Sequence, residues 1–80
     1  NLNANTYEFP ARLEVDYLHQ NYDLGLPENE FYETLGGMIF FHTEAIPEKG
    51  TVVEVQDFSI TVKKVSSTKI ERLIVHKNTV

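Results

Sequence analysis

Val53-Glu54-Val55-Gln56-Asp57-Phe58-Ser59-Ile60-Thr61-Val62-Lys63 alternates apolar and polar side chains in two runs. Successive side chains of an extended chain point to opposite faces, so the pattern predicts strands with one buried and one wet face. Val53 and Val55 alternate with Glu54 and Gln56; Phe58, Ile60 and Val62 alternate with Ser59, Thr61 and Lys63. Lys63-Lys64-Val65 breaks the period, which predicts a bulge or a strand end. Ser66-Ser67-Thr68-Lys69 reads as a hairpin connection. A last strand follows over Ile70 to Lys77, with Leu73 and Val75 on one face and Arg72, Ile74 and His76 on the other.

Upstream of these strands the period changes. Ile46-Pro47-Glu48-Lys49-Gly50 is a turn in which Gly50 supplies any positive φ. Before it, Leu35, Met38, Ile39 and either Phe41 or His42 mark the inward stripe of a helix, with Thr34 as its N-cap. Gly36-Gly37 costs such a helix about 1 kcal/mol per glycine relative to alanine, so the pair implies a close approach by a neighbouring strand or helix. Val15, Leu18 and Tyr22 give an earlier helix from Glu14, with Asp16 favourably placed in its first turn. Gly25 and Pro27 end it, and Leu24 and Leu26 tuck beneath it. Thr6-Tyr7-Glu8-Phe9 reads as a short strand, and Pro10 after it assigns that strand to an edge. The order is β-α-α-β-β-β, an α+β two-layer fold with two helices on a mainly antiparallel sheet. Residues 1–6 read as a linker, 7–77 as the domain and 78–80 as a tail.

Eighty residues make one small domain, which buries only about 60% of its unfolded surface. With 41% hydrophobic residues it still has enough for one core. There is no cysteine, which rules out a disulfide framework and thiolate metal ligands. No apolar run approaches the roughly 20 residues that span a bilayer, so direct membrane insertion is not expected. The chain opens at Asn1 instead of Met and reads as a piece of something larger. The net charge of −5 is uneven: acids dominate residues 1–57, whereas Lys63, Lys64, Lys69, Arg72 and Lys77 face only Glu71 after that. So acidic a chain is a poor phosphate-backbone binder, and nucleic acid is not an expected partner. The basic third either pairs with the acidic part, in its own chain or a neighbour's, or is a solvated sheet face.

The chemistry-bearing residues form no recognisable constellation. His19, His42 and His76 lack the i, i+4 spacing of helical metal ligands, and they read as surface or boundary histidines. Glu28, Glu30 and Glu33 cluster before the second helix, where carboxylates bind hard cations weakly or simply complement the helix N-terminus. Thr34-Leu35-Gly36-Gly37 resembles a phosphate loop superficially but lacks its lysine and spacing. Ser59, Ser66 and Ser67 sit in strand or turn contexts, without a nucleophile elbow. Hence no catalytic residue, metal ligand or cofactor is expected, and the chain does not read as an enzyme.

From Tyr7 to His76 the order and spacing of several short segments resemble the transporter-associated domain of the CorC/HlyC family. They are Val15-Asp16-Tyr17-Leu18, Leu26-Pro27-Glu28 and Tyr32-Glu33-Thr34-Leu35-Gly36-Gly37-Met38-Ile39. Ile46-Pro47 and Gly50, Phe58-Ser59-Ile60-Thr61-Val62 and Lys69-Ile70-Glu71-Arg72-Leu73-Ile74-Val75 complete them. The resemblance implies the small α+β unit grouped with FAD-binding-type folds, without a recognisable flavin site here. It makes Thr34, Gly36, Gly37, Pro47 and Gly50 structural positions of the motif. Pro10-Ala11-Arg12 departs from it, since glycine commonly follows the first strand in the family.

By that resemblance the parent would carry a membrane domain, a CBS pair and then this module at the cytoplasmic face of the bacterial inner membrane. Such proteins are linked to magnesium and cobalt efflux or named haemolysins. The implied role is non-catalytic regulation through docking, with Tyr32, Phe40 and Phe41 as the interaction surface. The implied partners are the own-chain CBS pair and membrane domain, or a second copy in a homodimer. The alternative is a small-ligand or divalent-cation sensor, motivated by the acidic N-terminal part.

Overall fold

In the computed structural model, which describes residues 5–22 and 24–78, the expected order of elements is realised. Strand β1 (Thr6–Pro10) leads to helices α1 (Val15–Tyr22) and α2 (Leu35–Thr43), then to β2 (Val52–Val55), β3 (Phe58–Val65) and β4 (Ile70–Lys77). The strands form one antiparallel sheet in the order β1-β4-β3-β2. β1 and β2 are therefore the edges, and Pro10 sits on an edge as expected.

Register turns the alternation into a core. Ile60 lies opposite Val75, Val62 opposite Leu73, and Phe9 opposite Leu73 from the other side. These side chains are all buried on the face that α1 and α2 cover with Val15, Leu18, Leu35, Met38 and Ile39. Leu24 and Leu26 tuck into the same cluster. Fully burying such side chains contributes roughly 1.5–3 kcal/mol each, which is what holds so small a domain together. The other face carries Glu8, Thr61 and Ile74 at paired positions. Tyr22 stays largely exposed, yet its ring packs edge-on against Tyr7 and Phe9 at 5.7 and 5.2 Å and ties α1 to β1.

Several expectations shift by a residue or a face. Gln56 lies in the two-residue turn joining β2 and β3, not in the strand, with φ +53°. Tight hairpin turns need a positive φ to match strand twist, and here a non-glycine residue adopts it. Of the helical stripe, Leu35, Met38 and Ile39 are buried, whereas Phe41 and His42 remain exposed. α2 ends at Glu44, left-handed at φ +63°, whose N–H donates to the Phe40 carbonyl. The break at Lys63-Lys64 is an irregularity with register shifts on both sides of Lys64. Thr6, read by sequence both as the end of the linker and as the start of the first strand, pairs with His76 as the first residue of β1. Residues 1–4 of that linker and 79–80 of the tail lie outside the described residues.

Candidate functional site

The first turn of α2 sets the geometry of the site. A helix start leaves backbone N–H groups without intrahelical partners. Thr34, in extended backbone, accepts one from Gly37 at Oγ1 over 3.0 Å, as the N-cap expectation required. Leu35 N–H donates to the Leu13 carbonyl and Gly36 N–H to the Ala11 carbonyl, each at 2.9 Å. Val15 N–H returns the arrangement by donating to the Glu33 carbonyl at 2.8 Å. The two helix starts are thus sewn to each other's approach segments.

That stitching explains the paired glycines. A Cβ on Gly36 would stand 3.1 Å from the Ala11 Cβ, and one on Gly37 would meet Thr34 Oγ1 at 3.1 Å and Tyr32 Cβ at 3.3 Å. The close approach is real, but at Gly36 the neighbour is the turn after β1, not a strand or helix. Side chains four apart share a helix face, so Gly36 and Phe40 form one row and Gly37 and Phe41 the next.

The Gly36–Phe40 row walls an open groove of about 720 Å³. Ala11 and Arg12 form its second wall, the β3–β4 hairpin with Lys64 and Lys69 its third, and Ile46 contributes further apolar surface. Phe40 is 50% exposed there. Arg12, Lys64 and Lys69 are exposed and make no ion pair among the described residues. Arg72 also lines the groove but is engaged: its Nε donates to Glu8 Oε2 at 2.7 Å, while Lys63 Nζ donates to Glu8 Oε1 at 2.7 Å. The hydrogen bond from Lys63, and then that from Arg72, hold the Glu8 carboxyl below the usual carboxylate range. The acidic and basic parts of the chain therefore do pair across β1, β3 and β4, through Glu8.

Phe41, on the next row, faces a different surface. Phe41 stacks on Phe31 with ring centres 6.0 Å apart and contacts Tyr32 at 5.6 Å. Phe31 is 72% exposed and Phe41 44%. The turn that presents Phe31 is fixed, because Asn29 Oδ1 accepts from Phe31 N–H at 2.9 Å and the Tyr32 hydroxyl donates to the Pro27 carbonyl at 2.8 Å. Burial pushes the Tyr32 phenol above its ordinary pKa. The expected surface of Tyr32, Phe40 and Phe41 thus splits: Tyr32 is half-buried beside Phe41, and Phe40 turns toward the groove.

Thr34, Gly36 and Gly37 join Phe40 at the groove, whereas Gly50 and Pro47 do not. Gly50 takes φ +93° in the turn before β2 and donates its N–H to the Val62 carbonyl at 2.7 Å. Arg12, Lys64 and Lys69 were not singled out as site residues; the basic C-terminal third was the signal for the two lysines, and Arg12, in the acidic part, had none. His19 and His42 are exposed, and His76 Nδ1 shares a 2.8 Å hydrogen bond with the Thr6 hydroxyl. Among the described residues no three His, Cys, Asp or Glu side chains come together as metal ligands, and no helix is long and apolar enough to cross a membrane.

Comparison with known proteins places this geometry. The family model described as the transporter associated domain, CorC_HlyC, matches residues 1–79. The CorC-associated region from Neisseria meningitidis MC58 superposes with a TM-score of 0.86 at 16% identity, over 96% of this chain and 94% of that one. The transporter associated domain of a CBS domain protein from Porphyromonas gingivalis gives 0.80 at 20% identity, over 98% and 94%. The CorC_HlyC domain of a Xylella fastidiosa Temecula1 hemolysin, in complex with Mg²⁺ and Mn²⁺, gives 0.78 at 18% identity, over 92% and 89%. At these identities the likeness shows the fold. No curated protein matches the chain.

Proposed function

Because this chain belongs to the CorC_HlyC transporter-associated domain family, we propose that it is a non-catalytic docking and regulatory module of a membrane ion transporter. In this reading it sits at the cytoplasmic face of the bacterial inner membrane, beside the CBS pair and membrane domain of its own chain. There it modulates passage of a divalent cation such as magnesium or cobalt. The observation that carries the reading, beside the family, is the outward side of α2. Phe31, Phe40 and Phe41 remain exposed there on backbone held by the capping and turn bonds described above. Large exposed aromatics on a rigid frame supply contact area at low ordering cost, which suits docking. Cation flux through the full-length transporter, with and without this domain, tests the role. A changed flux or cation dependence supports it; identical flux with normal membrane expression rejects it.

A second reading, cation sensing, draws on the Xylella fastidiosa complex with Mg²⁺ and Mn²⁺. The residues of this chain do not fit it well: Glu28, Glu30 and Glu33 are exposed, and no described cluster offers three ligands. A ligand bound only by the folded state raises its melting temperature by mass action. A clear upward shift in Tm with millimolar Mg²⁺ or Mn²⁺ would support sensing, and an unchanged Tm would reject it.

A further inference from the structure

Two surfaces of opposite charge flank the outward side of α2. On the Gly36–Phe40 row, Arg12, Lys64 and Lys69 surround the groove with no ion pair among the described residues. Glu71 also lines it, leaving a cationic excess. On the Phe41 side, where Phe31 stacks on Phe41, the connection between the helices displays Glu28, Glu30 and Glu33, all exposed and likewise without an ion pair among the described residues. From the middle of those acids projects Phe31, 72% exposed. One surface is a cationic groove with apolar wall at Phe40 and Ile46; the other is an acidic turn with an apolar anchor.

We infer that a second copy of this chain occupies the groove, its acidic turn lying among Arg12, Lys64 and Lys69 and its Phe31 against Phe40 and Ile46, with the same contact made in return. Within one chain the two surfaces do not pair, since the ion pairs among the described residues are those of Glu8 with Lys63 and Arg72. A two-fold axis parallel to α2 superposes the groove of each copy on the turn of the other. Such an isologous contact, in which residue i meets j and j meets i, is the commonest closed arrangement of identical chains. The Asn29 and Tyr32 hydrogen bonds hold the turn before it docks, so little ordering cost remains. A stable interface of standard size takes about 800 Å² from each partner. The domain exposes 5089 Å², so an interface of that size takes roughly a sixth of its surface. Two chains of net charge −5 repel at long range, so attraction is confined to contacts shorter than the roughly 8 Å screening length of physiological salt.

The inference deepens the docking role above by naming its partner, and its test reads self-association with no transporter present. Sedimentation equilibrium of the 80-residue chain, from about 10 μM to about 1 mM, is expected to show a dimer. Two variants then decide the geometry: Glu28→Lys with Glu30→Lys, and Lys64→Glu with Lys69→Glu. Circular dichroism confirms that each is folded. Each variant alone places like charges opposite each other and is expected to weaken the dimer at least about tenfold. Mixed together, they restore opposite charges at both contacts and are expected to recover the parental affinity. Each reversal changes the charge by two, so the variants carry −1 and −9 and net charge cannot draw them together. A monomer throughout the series overturns the inference and leaves the regulatory role to the flux experiment. A dimer that ignores either reversal, or variants that do not recover on mixing, also overturns it.

Discussion

Gly36→Ala isolates the contact on which the site is built. The new methyl would stand 3.1 Å from the Ala11 Cβ and 3.4 Å from its carbonyl oxygen. Overpacking of this kind typically costs 1–3 kcal/mol, roughly, while alanine gains about 1 kcal/mol over glycine in helix propensity. The sign depends on whether Ala11 yields. Its methyl has no rotamer to move, its N–H donates to the Glu71 carbonyl at 2.9 Å and its carbonyl accepts from Gly36 at 2.9 Å. Ala11 is therefore pinned from both sides, the clash wins, and a net loss of about 1 kcal/mol is expected. For a domain of this size that lowers Tm by roughly 4–8 °C.

A double-mutant cycle separates this clash from any other defect. Ala11→Gly alone removes a buried methyl and frees the unfolded chain, and should cost about 1 kcal/mol. Combined with Gly36→Ala, the new methyl takes the room that the old one left. The pair should then be more stable than the summed single losses by about 1 kcal/mol or more. Urea unfolding followed by circular dichroism measures all three variants, with unchanged slopes confirming comparable unfolding. A Gly36→Ala variant as stable as its parent, or strictly additive losses, would refute the reasoning.

Glu8→Gln removes the negative charge shared by Lys63 and Arg72 and one of its two acceptor oxygens, and its effect should follow pH. Because the fold lowers the Glu8 pKa, the stabilisation is present above the ordinary carboxylate range and is lost as pH falls through that lowered value. The midpoints of parent and variant should therefore converge in strong acid, and a gap that persists there rejects the pairing. Tyr32→Phe leaves the Pro27 carbonyl without its donor and should cost about 1 kcal/mol in urea. Since burial raises the phenol pKa, the neutral form is the stabilising one. That contribution is present below the ordinary tyrosine value and is lost as pH rises through the raised one, so ultraviolet titration of the variant should lack a phenolate component that the parent shows above the ordinary value. Gly50→Ala meets no atom within 4 Å, yet at φ +93° it should cost about 1–2 kcal/mol through backbone strain, again read in urea.

Element type and order were legible because the two periods do not overlap. Phe58, Ile60 and Val62 bury one sheet face in steps of two, while Val15 with Leu18 and Leu35 with Met38 and Ile39 bury helix faces in steps of three and four. The capping hydroxyl of Thr34 and the φ of Gly50 were legible because only a few residue types meet those demands. Gln56 and Glu44 carried no such signal. Both take left-handed backbone without being glycine, the one to turn a hairpin and the other to stop a helix. Tertiary geometry imposed those conformations over local preference, which is why Gln56 continued the alternation on paper and left the strand in space.

The site was legible as residue types and not as a place. Phe40 and Phe41 are adjacent in sequence, but neighbours on a helix point about 100° apart. That angle sends one ring to the cationic groove and the other to Phe31 and Tyr32. Arg12 precedes Lys69 by 57 positions, and the bond from Ala11 N–H to the Glu71 carbonyl is what brings their segments together. The charge imbalance therefore had two outcomes that no linear reading separates. Glu8 pairs with both Lys63 and Arg72 on the sheet, whereas Lys64 and Lys69, joined at the groove rim by Arg12 from the acidic part, make no ion pair among the described residues. Folding used one part of the asymmetry for cohesion and left the other part, with its acidic counterpart across α2, for a partner.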